Sequence, residues 1–426
     1  MPASDMDTTF TFSGVAGSPG AASSAGTAGS PGAAPTAPAE SPRAYLDWAA
    51  TAPLDERLRD AIAESSWGNP SSLHAEGRAA RVQLEDARSR IAAALGAHAP
   101  SEVYFTSGGT ESDNTALLGL SRPVSGAQRT HVVMSAIEHE AVLETAGALR
   151  QRGFVVDVLA PDRTGVTDPA ALDALLTRTD DSGEATSLVA VQMLNNELGS
   201  IQPVRELAEV AHAHGALFFT DAVQALGKVE IALDSDGIDA ASFSAHKLGA
   251  LKGTGALYVK RSLRCEPLLR GGGQESGLRS GTGNVMGAHV FARAVELAVE
   301  GRGELWERAL GWRSQVLAAL ASGGAADIAR TVRLSADAGD AQAPHIISLL
   351  ADGLEGETMV QRADSCGIAL SAGSACGSGS REASHVLTAI GIDRDLAYGA
   401  LRISCGHATT QTDIDKLVAA LPEILR

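Results

Sequence analysis

The sequence predicts an α/β protein with a mostly parallel sheet between layers of helices, and three observations support this fold class. Short apolar runs typical of buried strands recur along the chain at Val103–Thr106, Val132–Ser135, Leu188–Met193, Leu217–Thr220 and Ala256–Val259. Ala75 to Leu95 has apolar residues at helical spacing and stops at a glycine. Polar residues follow several of the apolar runs, which is where ligands bind in open α/β sheets.

Composition limits the classes of function. The chain has 426 residues, is 44% hydrophobic and carries a net charge of −17, so it can build one large and one small domain. The acidic balance argues against direct nucleic-acid binding and against an anionic membrane surface. No apolar run reaches the roughly 18 residues of a membrane span. The four cysteines form no Cys-x-x-Cys pair, which predicts a reduced, cytoplasmic protein without a disulfide framework.

The chain divides into segments of different composition. Residues 1–43 are rich in Gly, Ala, Ser and Pro and predict a disordered tail, either a misassigned start or a functional linker. We expect 44–57 to be an N-terminal segment of a small domain, in which a short strand stops at Pro53 and a helix starts there. Residues 58–302 are expected to form the large domain. Residues 303–426 are expected to form the small α+β domain.

A lysine lies in the most informative stretch of the chain. Lys247 follows the apolar run Gly237–Ala241 and stands between a short predicted strand and a glycine-rich turn, where a desolvated amine can react with an aldehyde. Asp221 closes an apolar strand upstream, which suits the charge partner of a pyridinium nitrogen. A surface lysine and a helix-capping aspartate are the simpler alternatives for each residue alone. Together they favour pyridoxal 5'-phosphate as cofactor.

Several motifs together resemble one family. They are Ser-Ala-His-Lys ending at Lys247, Gly-Gly-Thr ending at Thr110, the Tyr-Leu-Asp segment from Tyr45, and Gly-Ser-Ala-Cys ending at Cys376. The chain from about Tyr45 to about Ala420 thereby resembles the NifS-like cysteine desulfurases of the class V aminotransferase superfamily. The resemblance implies the fold type I of pyridoxal-phosphate enzymes, with a mostly parallel seven-stranded sheet sandwiched by helices and a smaller α+β domain.

The resemblance assigns cofactor contacts to residues that otherwise have simpler explanations. Gly109 and Thr110 begin a helix after a strand, so they are either a phosphate nest or a plain helix start. His139 either stacks on the cofactor ring and moves protons, or is structural. Asn196 either bonds the phenolic oxygen and the substrate, or belongs to an Asx turn. The family pattern favours the first alternative each time, and it adds these cofactor ligands: Gln224, Ser244 and His246.

Two further residues follow from the resemblance. Thr282, after a glycine-rich run and Arg279, is expected to reach the phosphate in a neighbouring subunit, which implies a homodimer. Arg402 lies on a predicted strand, and its planar guanidinium suits the substrate carboxylate. An interdomain salt bridge is the alternative for Arg402.

A loop of small residues around Cys376 completes the predicted site. Ser371–Ser380 is almost all Gly, Ala and Ser, so its cysteine can be exposed and reactive as a thiolate. A structural cysteine is the alternative. Cys376, His385, Cys405 and His407 match no common zinc spacing, so no metal site is expected. The resemblance allows Cys376 to ligate a transient iron–sulfur cluster.

The resemblance implies a cysteine desulfurase that converts L-cysteine to L-alanine and keeps the sulfur as a persulfide on Cys376. Its partners would be L-cysteine and a sulfur-acceptor protein, in iron–sulfur assembly or in tRNA thiolation, and the acceptor is left open. Selenocysteine lyase, or another enzyme of the same fold such as an aminotransferase, is the nearest alternative. A non-catalytic sulfur carrier is the alternative from another class. The presence of Lys247, Asp221 and Cys376 argues against it.

Overall fold

The computed structural model describes residues 43–121, 130–322, 332–373 and 383–426, and the structural statements below concern these ranges. They belong to one compact unit that runs from residue 42 to residue 426. The predicted disordered tail, 1–43, lies outside the described residues except for Arg43. Cys376 and most of its loop lie outside them as well.

The main sheet has seven strands, as predicted. They are β2 (Val103–Thr106), β3 (His131–Ser135), β4 (Val155–Leu159), β5 (Thr186–Ala190), β6 (Leu217–Asp221), β7 (Ala240–Ser244) and β8 (Gly255–Val259). Their order across the sheet is β2-β8-β7-β6-β5-β3-β4. The run from β7 to β4 is parallel throughout, and only β8 is antiparallel to its neighbours. The predicted fold class is therefore confirmed.

Helices cover both faces of this sheet. Phe218 of β6 belongs to one apolar cluster and the next residue, Phe219, to a second, because successive side chains of a strand point to opposite faces. Each is fully buried. The described helices are Arg59–Ala63, Ala75–Ala94, Gly109–Leu120, Glu140–Leu143, Thr145–Gln151, Pro169–Ser182, Val204–Ala213, Val285–Glu300, Arg302–Ser322, Gly356–Ser365, His385–Ala389, Arg394–Ala397 and Gln411–Ile424. None of them is both long and apolar enough to cross a bilayer.

Two smaller sheets contain the remaining strands of the described chain. The strand β1 (Ala44–Tyr45) pairs in parallel with β11 (Ile368–Ala369). The strand β10 (Ile346–Ala351) lies between β9 (Val332–Leu334) and β12 (Ala400–Ser404), antiparallel to both. Ala44 and Leu46 share an apolar cluster with β10 and β12, as an N-terminal segment of a small domain would. The residue boundaries of the two domains remain a prediction.

The expected helix at Pro53 is wrong. A short 3-10 helix starts later, at Glu56–Leu58, and the first α-helix follows at Arg59. The Asp55 side chain accepts a hydrogen bond from the Arg57 backbone N–H at 2.9 Å. This cap places the helix start after Asp55, because the Asp55 carboxylate satisfies a backbone donor of the first turn and a proline side chain has no acceptor to do so.

Candidate active site

A cavity of about 290 Å³ lies where the parallel strands of the main sheet end. Its walls come from the segments that follow the carboxyl ends of β2, β3, β5, β6 and β7. Ten predicted site residues line it together: Gly109, Thr110, His139, Asn196, Asp221, Gln224, Ser244, His246, Lys247 and Arg402. The parallel topology explains the gathering, because parallel strands bring the residues after their carboxyl ends to one edge.

Lys247 lies on a 3-10 helix, Ala245–Leu248, that follows β7 directly. Its Nζ donates hydrogen bonds to the backbone oxygens of Ala49 at 2.6 Å and Ala50 at 2.9 Å. These carbonyls belong to the Tyr45–Pro53 segment, so the N-terminal segment holds the amine at the cavity wall. The turn after Lys247 needs a glycine, because Gly249 has a φ of +76° and its Cβ would lie 2.6 Å from the Pro53 oxygen.

Asp221 ends β6 and is 7% exposed. Its Oδ1 accepts a hydrogen bond from the Val223 backbone N–H at 2.8 Å. Burial raises the pKa of Asp221 above its ordinary value, although the charges of His139 and Lys247 oppose the rise. A cation placed in the cavity beside Asp221 would therefore favour its carboxylate form and be stabilised by it.

The helix Gly109–Leu120 points its N-terminus at the cavity. The first N–H groups of a helix have no partner within it, and the helix dipole attracts anions there. Gly109 packs so closely on Val223 that a Cβ would lie 2.7 Å from the valine Cγ2. An adjoining recess of about 470 Å³ is lined by Ser107–Glu111, Ser244, His246 and Lys252. The Glu111 carboxylate in this wall is paired with Arg279, and the helix-start N–H groups, the Ser244 hydroxyl and the Lys252 ammonium are donors that suit a phosphate group.

The two adjacent asparagines after β5 have different tasks. Asn195 makes the Asx turn, because its Oδ1 accepts the backbone N–H groups of Glu197 at 2.9 Å and Leu198 at 2.7 Å. Asn196 lines the cavity instead. On the other side, the Nε2 of Gln224 donates to the Ala49 oxygen at 2.7 Å. Both amides stand at the wall from which a ligand oxygen could be bound.

Two histidines of the wall differ in their surroundings. His139 precedes the helix Glu140–Leu143, and its Nδ1 accepts the Ala141 backbone N–H at 3.1 Å. The Nδ1 of His246 lies 3.0 Å from the Thr51 hydroxyl. Burial, together with the charge of Lys247, lowers the pKa of His246 to about 4, so this ring is neutral at pH 7. His246 can therefore hydrogen-bond an anion but contributes no charge.

Arg402 is 1% exposed and lies on β12, at the side of the cavity away from the main sheet. Its Nη2 donates to Asp47 Oδ1 and its Nη1 to the Asn196 backbone oxygen, both at 3.0 Å. This salt bridge joins two segments of the predicted small domain, so it is not the interdomain salt bridge that was the alternative for Arg402. Its Nε is buried without a hydrogen-bond partner in the described chain. Arg402 therefore keeps donor capacity at the wall.

Thr282 does not line the cavity of its own chain and is exposed. The preceding Arg279 ties this loop to the helix start, since its Nε donates to Glu111 Oε1 at 2.9 Å. Residues 374–382, with Cys376, are outside the described chain, whereas Ser371 and Ser384 on either side of them are described. Ser371 bridges to Arg402 in the backbone, and the Ser384 hydroxyl donates to Glu197 Oε2 at 2.6 Å.

Three kinds of wall group were not predicted from the sequence. The backbone carbonyls of Ala49 and Ala50 carry no side-chain signal. Asp113 is 1% exposed, lines the cavity with Asp221, and has an Oδ1 without a partner in the described chain. Burial raises the pKa of Asp113 well above its ordinary range, and Asp221 raises it further. Its place one turn into the helix after Gly109 was the available signal. Gln192 follows β5 and was passed over as strand.

The chemistry of these groups fits pyridoxal 5'-phosphate. The helix start at Gly109 and Thr110 suits the phosphate, Asp221 suits the ring nitrogen and Lys247 suits the aldehyde. The unpartnered buried oxygen of Asp113 also indicates a wall designed to face a polar ligand. The amides of Asn196 and Gln224 suit an acceptor oxygen on the ring.

Comparison with known proteins agrees with this chemistry. The model of the aminotransferase class-V family matches residues 44–417. A cysteine desulfurase of Cereibacter sphaeroides is 41% identical over 90% of this chain and 96% of its own length. Cysteine desulfurase IscS of Dictyoglomus turgidum is 38% identical over 89% of this chain and 94% of its own length. A NifS-like protein of known structure superposes with a TM-score of 0.80, at 34% identity, over 90% of this chain and 99% of that one.

Proposed function

The chain belongs to the aminotransferase class-V family, and we propose the roles that its residues take in desulfurating L-cysteine. The protein is a pyridoxal 5'-phosphate-dependent cysteine desulfurase, as the motif resemblance predicted. One observation carries the residue roles: Lys247, Asp221 and Arg402 face the same cavity, within a chain whose matched relatives are cysteine desulfurases.

Cofactor binding is the first role. When bound, pyridoxal 5'-phosphate supplies an aldehyde that captures amines and a ring that draws electrons from the substrate Cα. The N–H groups at Gly109 and Thr110 bind its phosphate, with Ser244 and the neutral His246. The Asp221 carboxylate holds a proton on the ring nitrogen. Asn196 and Gln224 orient the ring through its phenolic oxygen, and Lys247 anchors the aldehyde.

Proton movement is the second role. Lys247 Nζ takes the proton from the substrate Cα and later returns it. The Ala49 and Ala50 oxygens, at 2.6 and 2.9 Å, offer the lysine a position at the wall where it can carry that proton as an ammonium. His139 lines the same cavity and moves the proton of the substrate thiol, and the Ala141 N–H that donates to its Nδ1 orients the ring.

Substrate orientation is the third role. Arg402 binds the carboxylate of L-cysteine with the parallel N–H groups of its guanidinium. The side chain is already held by Asp47 and the Asn196 oxygen, so little rotamer entropy is lost when the substrate arrives. The substrate carboxylate and Asp47 then share one cation. The buried setting of Arg402 strengthens that attraction by excluding water.

Sulfur transfer is the role of Cys376. Its Sγ attacks the substrate sulfur as a thiolate, so that an S–S bond forms and the Cβ–S bond of the substrate breaks. The electron pair stays on the carbon, which takes a proton and leaves as L-alanine. The outer sulfur of the Cys376 persulfide then passes to an acceptor protein for iron–sulfur assembly or tRNA thiolation.

We further propose a cytoplasmic homodimer in which Thr282 reaches the phosphate of the neighbouring site.

Replacement of Cys376 by serine tests this assignment. Cys376→Ser replaces the thiol by a hydroxyl that stays protonated, so L-alanine release from L-cysteine should fall to background while cofactor absorbance persists. Mass spectrometry of the native protein after L-cysteine should find added sulfur on the Cys376 peptide. Cys366→Ser is the control and should retain activity. Desulfuration by the Cys376→Ser protein at the native rate would refute the assigned chemistry.

A further inference from the structure

A second lysine, Lys228, lies behind the site and has no part in the reaction described above. It is 7% exposed and follows Gln224 by four residues. Its Nζ donates to the Gln224 backbone oxygen at 3.0 Å and approaches the Gln224 Oε1 at 3.4 Å. No carboxylate of the described chain forms an ion pair with it within 4.0 Å. Burying a lysine ammonium without an ion-pair partner lowers the stability of the fold, so we expect this residue to have a function.

The contacts of Lys228 determine which end of the Gln224 amide faces the cavity. The Oε1 is turned toward the lysine, and the Nε2 donates to the Ala49 oxygen at 2.7 Å. Reversing the amide would set its oxygen against the Ala49 oxygen and its NH₂ against the lysine amine. Only the observed orientation satisfies both neighbours, and it leaves the second N–H of Gln224 for a ligand acceptor.

Lys228 is also coupled to Lys247. Both side chains line a cavity of about 380 Å³ next to the site. They are also linked by hydrogen bonds: the Ala49 oxygen accepts from Lys247 and from Gln224, and the Gln224 Oε1 faces Lys228. Burial, followed by the charge of Lys247, lowers the pKa of Lys228 to about 7. Two neighbouring lysines of this kind do not readily carry two charges at once.

The charges around Lys228 do not cancel this repulsion. On the sheet side it faces the neutral His246 and the buried His345, whose pKa burial lowers to about 3. The carboxylates across the cavity are already paired: Asp55 lies 2.7 Å from Arg57 and 3.1 Å from His407, and Glu304 lies 3.4 Å from Arg308. Glu56, the remaining carboxylate of the cavity wall, is paired with Arg59.

We propose that Lys228 is a positioning residue that presents the Gln224 N–H to the cofactor's phenolic oxygen. The proposal rests on the assigned function, because the phenolic oxygen belongs to it. Lys228 itself touches neither substrate nor cofactor. It acts through Gln224 on ring orientation, and the repulsion by Lys247 favours the neutral amine of Lys228, which still donates to Gln224.

Lys228→Met tests the proposal in the cofactor-loaded enzyme, because methionine keeps the length of the chain and removes the donor and the charge. The absorbance maximum of the Lys247-linked cofactor should shift, because the Gln224 N–H no longer meets the phenolic oxygen in one fixed orientation. Lys228→Arg keeps a donor and has the neighbouring cavity to occupy, so its absorbance maximum should stay near the native one. Lys260→Met, directly after β8, is the matched control.

A double-mutant cycle tests the action through Gln224. Apoenzyme affinity for the cofactor, followed by tryptophan fluorescence, should fall about tenfold in Lys228→Met. It should fall similarly in Gln224→Ala, and no further in the double variant. An unchanged absorbance maximum in Lys228→Met, or losses of affinity that add in the double variant, would overturn the proposal. Native enzyme that neither binds the cofactor nor releases L-alanine would instead refute the assigned function.

Discussion

The guanidinium of Arg402 offers the sharpest test of substrate binding, because the structure leaves two explanations for it. It can hold the substrate carboxylate, or it can serve only the pair with Asp47 at 3.0 Å. Arg402→Lys keeps the positive charge but replaces a planar fork by a single ammonium. One charge-assisted hydrogen bond is worth about 1.5–3 kcal/mol, so kcat/KM for L-cysteine should fall about 10- to 150-fold.

Cysteamine separates the two explanations, since it is L-cysteine without the carboxylate. If Arg402 binds the carboxylate, the native protein should bind L-cysteine much more tightly than cysteamine, and Arg402→Lys should remove most of that difference. Binding is measured by the absorbance change of the cofactor-loaded protein. A variant that weakens both ligands by the same factor would show that Arg402 only supports the fold through Asp47. Arg313→Lys, at a half-buried arginine that does not line the cavity, is the control.

Three further outcomes are expected. Lys247→Ala should abolish turnover, and borohydride should fix the cofactor to the Lys247 peptide of the native protein; label on another lysine would contradict the assignment. If Thr282 acts across a dimer, co-expressed Lys247→Ala and Thr282→Ala chains should regain about a quarter of native activity through mixed dimers with one intact site, whereas no recovery would place Thr282 in its own subunit's site. Hydrogen bonds to Asp173 and Asp180 raise the pKa of His214, so its stabilising effect is present at low pH and is lost as pH rises through the raised value. The thermal midpoint of His214→Asn should accordingly lie below that of the native protein at pH 5.5 and approach it at pH 9, and a gap that widens with pH would be contrary evidence.

Much of the fold and of the site was predictable from local patterns. The apolar runs located β2, β3, β5, β6 and β8, because a strand buried on both faces is apolar throughout. β4 was not predicted, and Val155 and Val158 at this edge of the sheet are exposed. The residues after these strands could be grouped in advance, since parallel strands deliver their carboxyl ends to one edge. Pro53 misled the prediction because the Asp55 cap, two residues later, determines where the helix starts.

Sequence alone established the family and the cofactor, and it predicted which lysine reacts, because each depends on a few residues that are close together in the chain. The tertiary structure decided what those residues contact. Arg402 meets Asp47 across 355 positions, Lys247 meets the Ala49 oxygen across 198, and Asp113 lies beside Asp221 in one wall. Contacts of this kind arise only when the sheets and the N-terminal segment pack together, and packing sets the burial on which the pKa of Lys228, Asp113 and Asp221 depends.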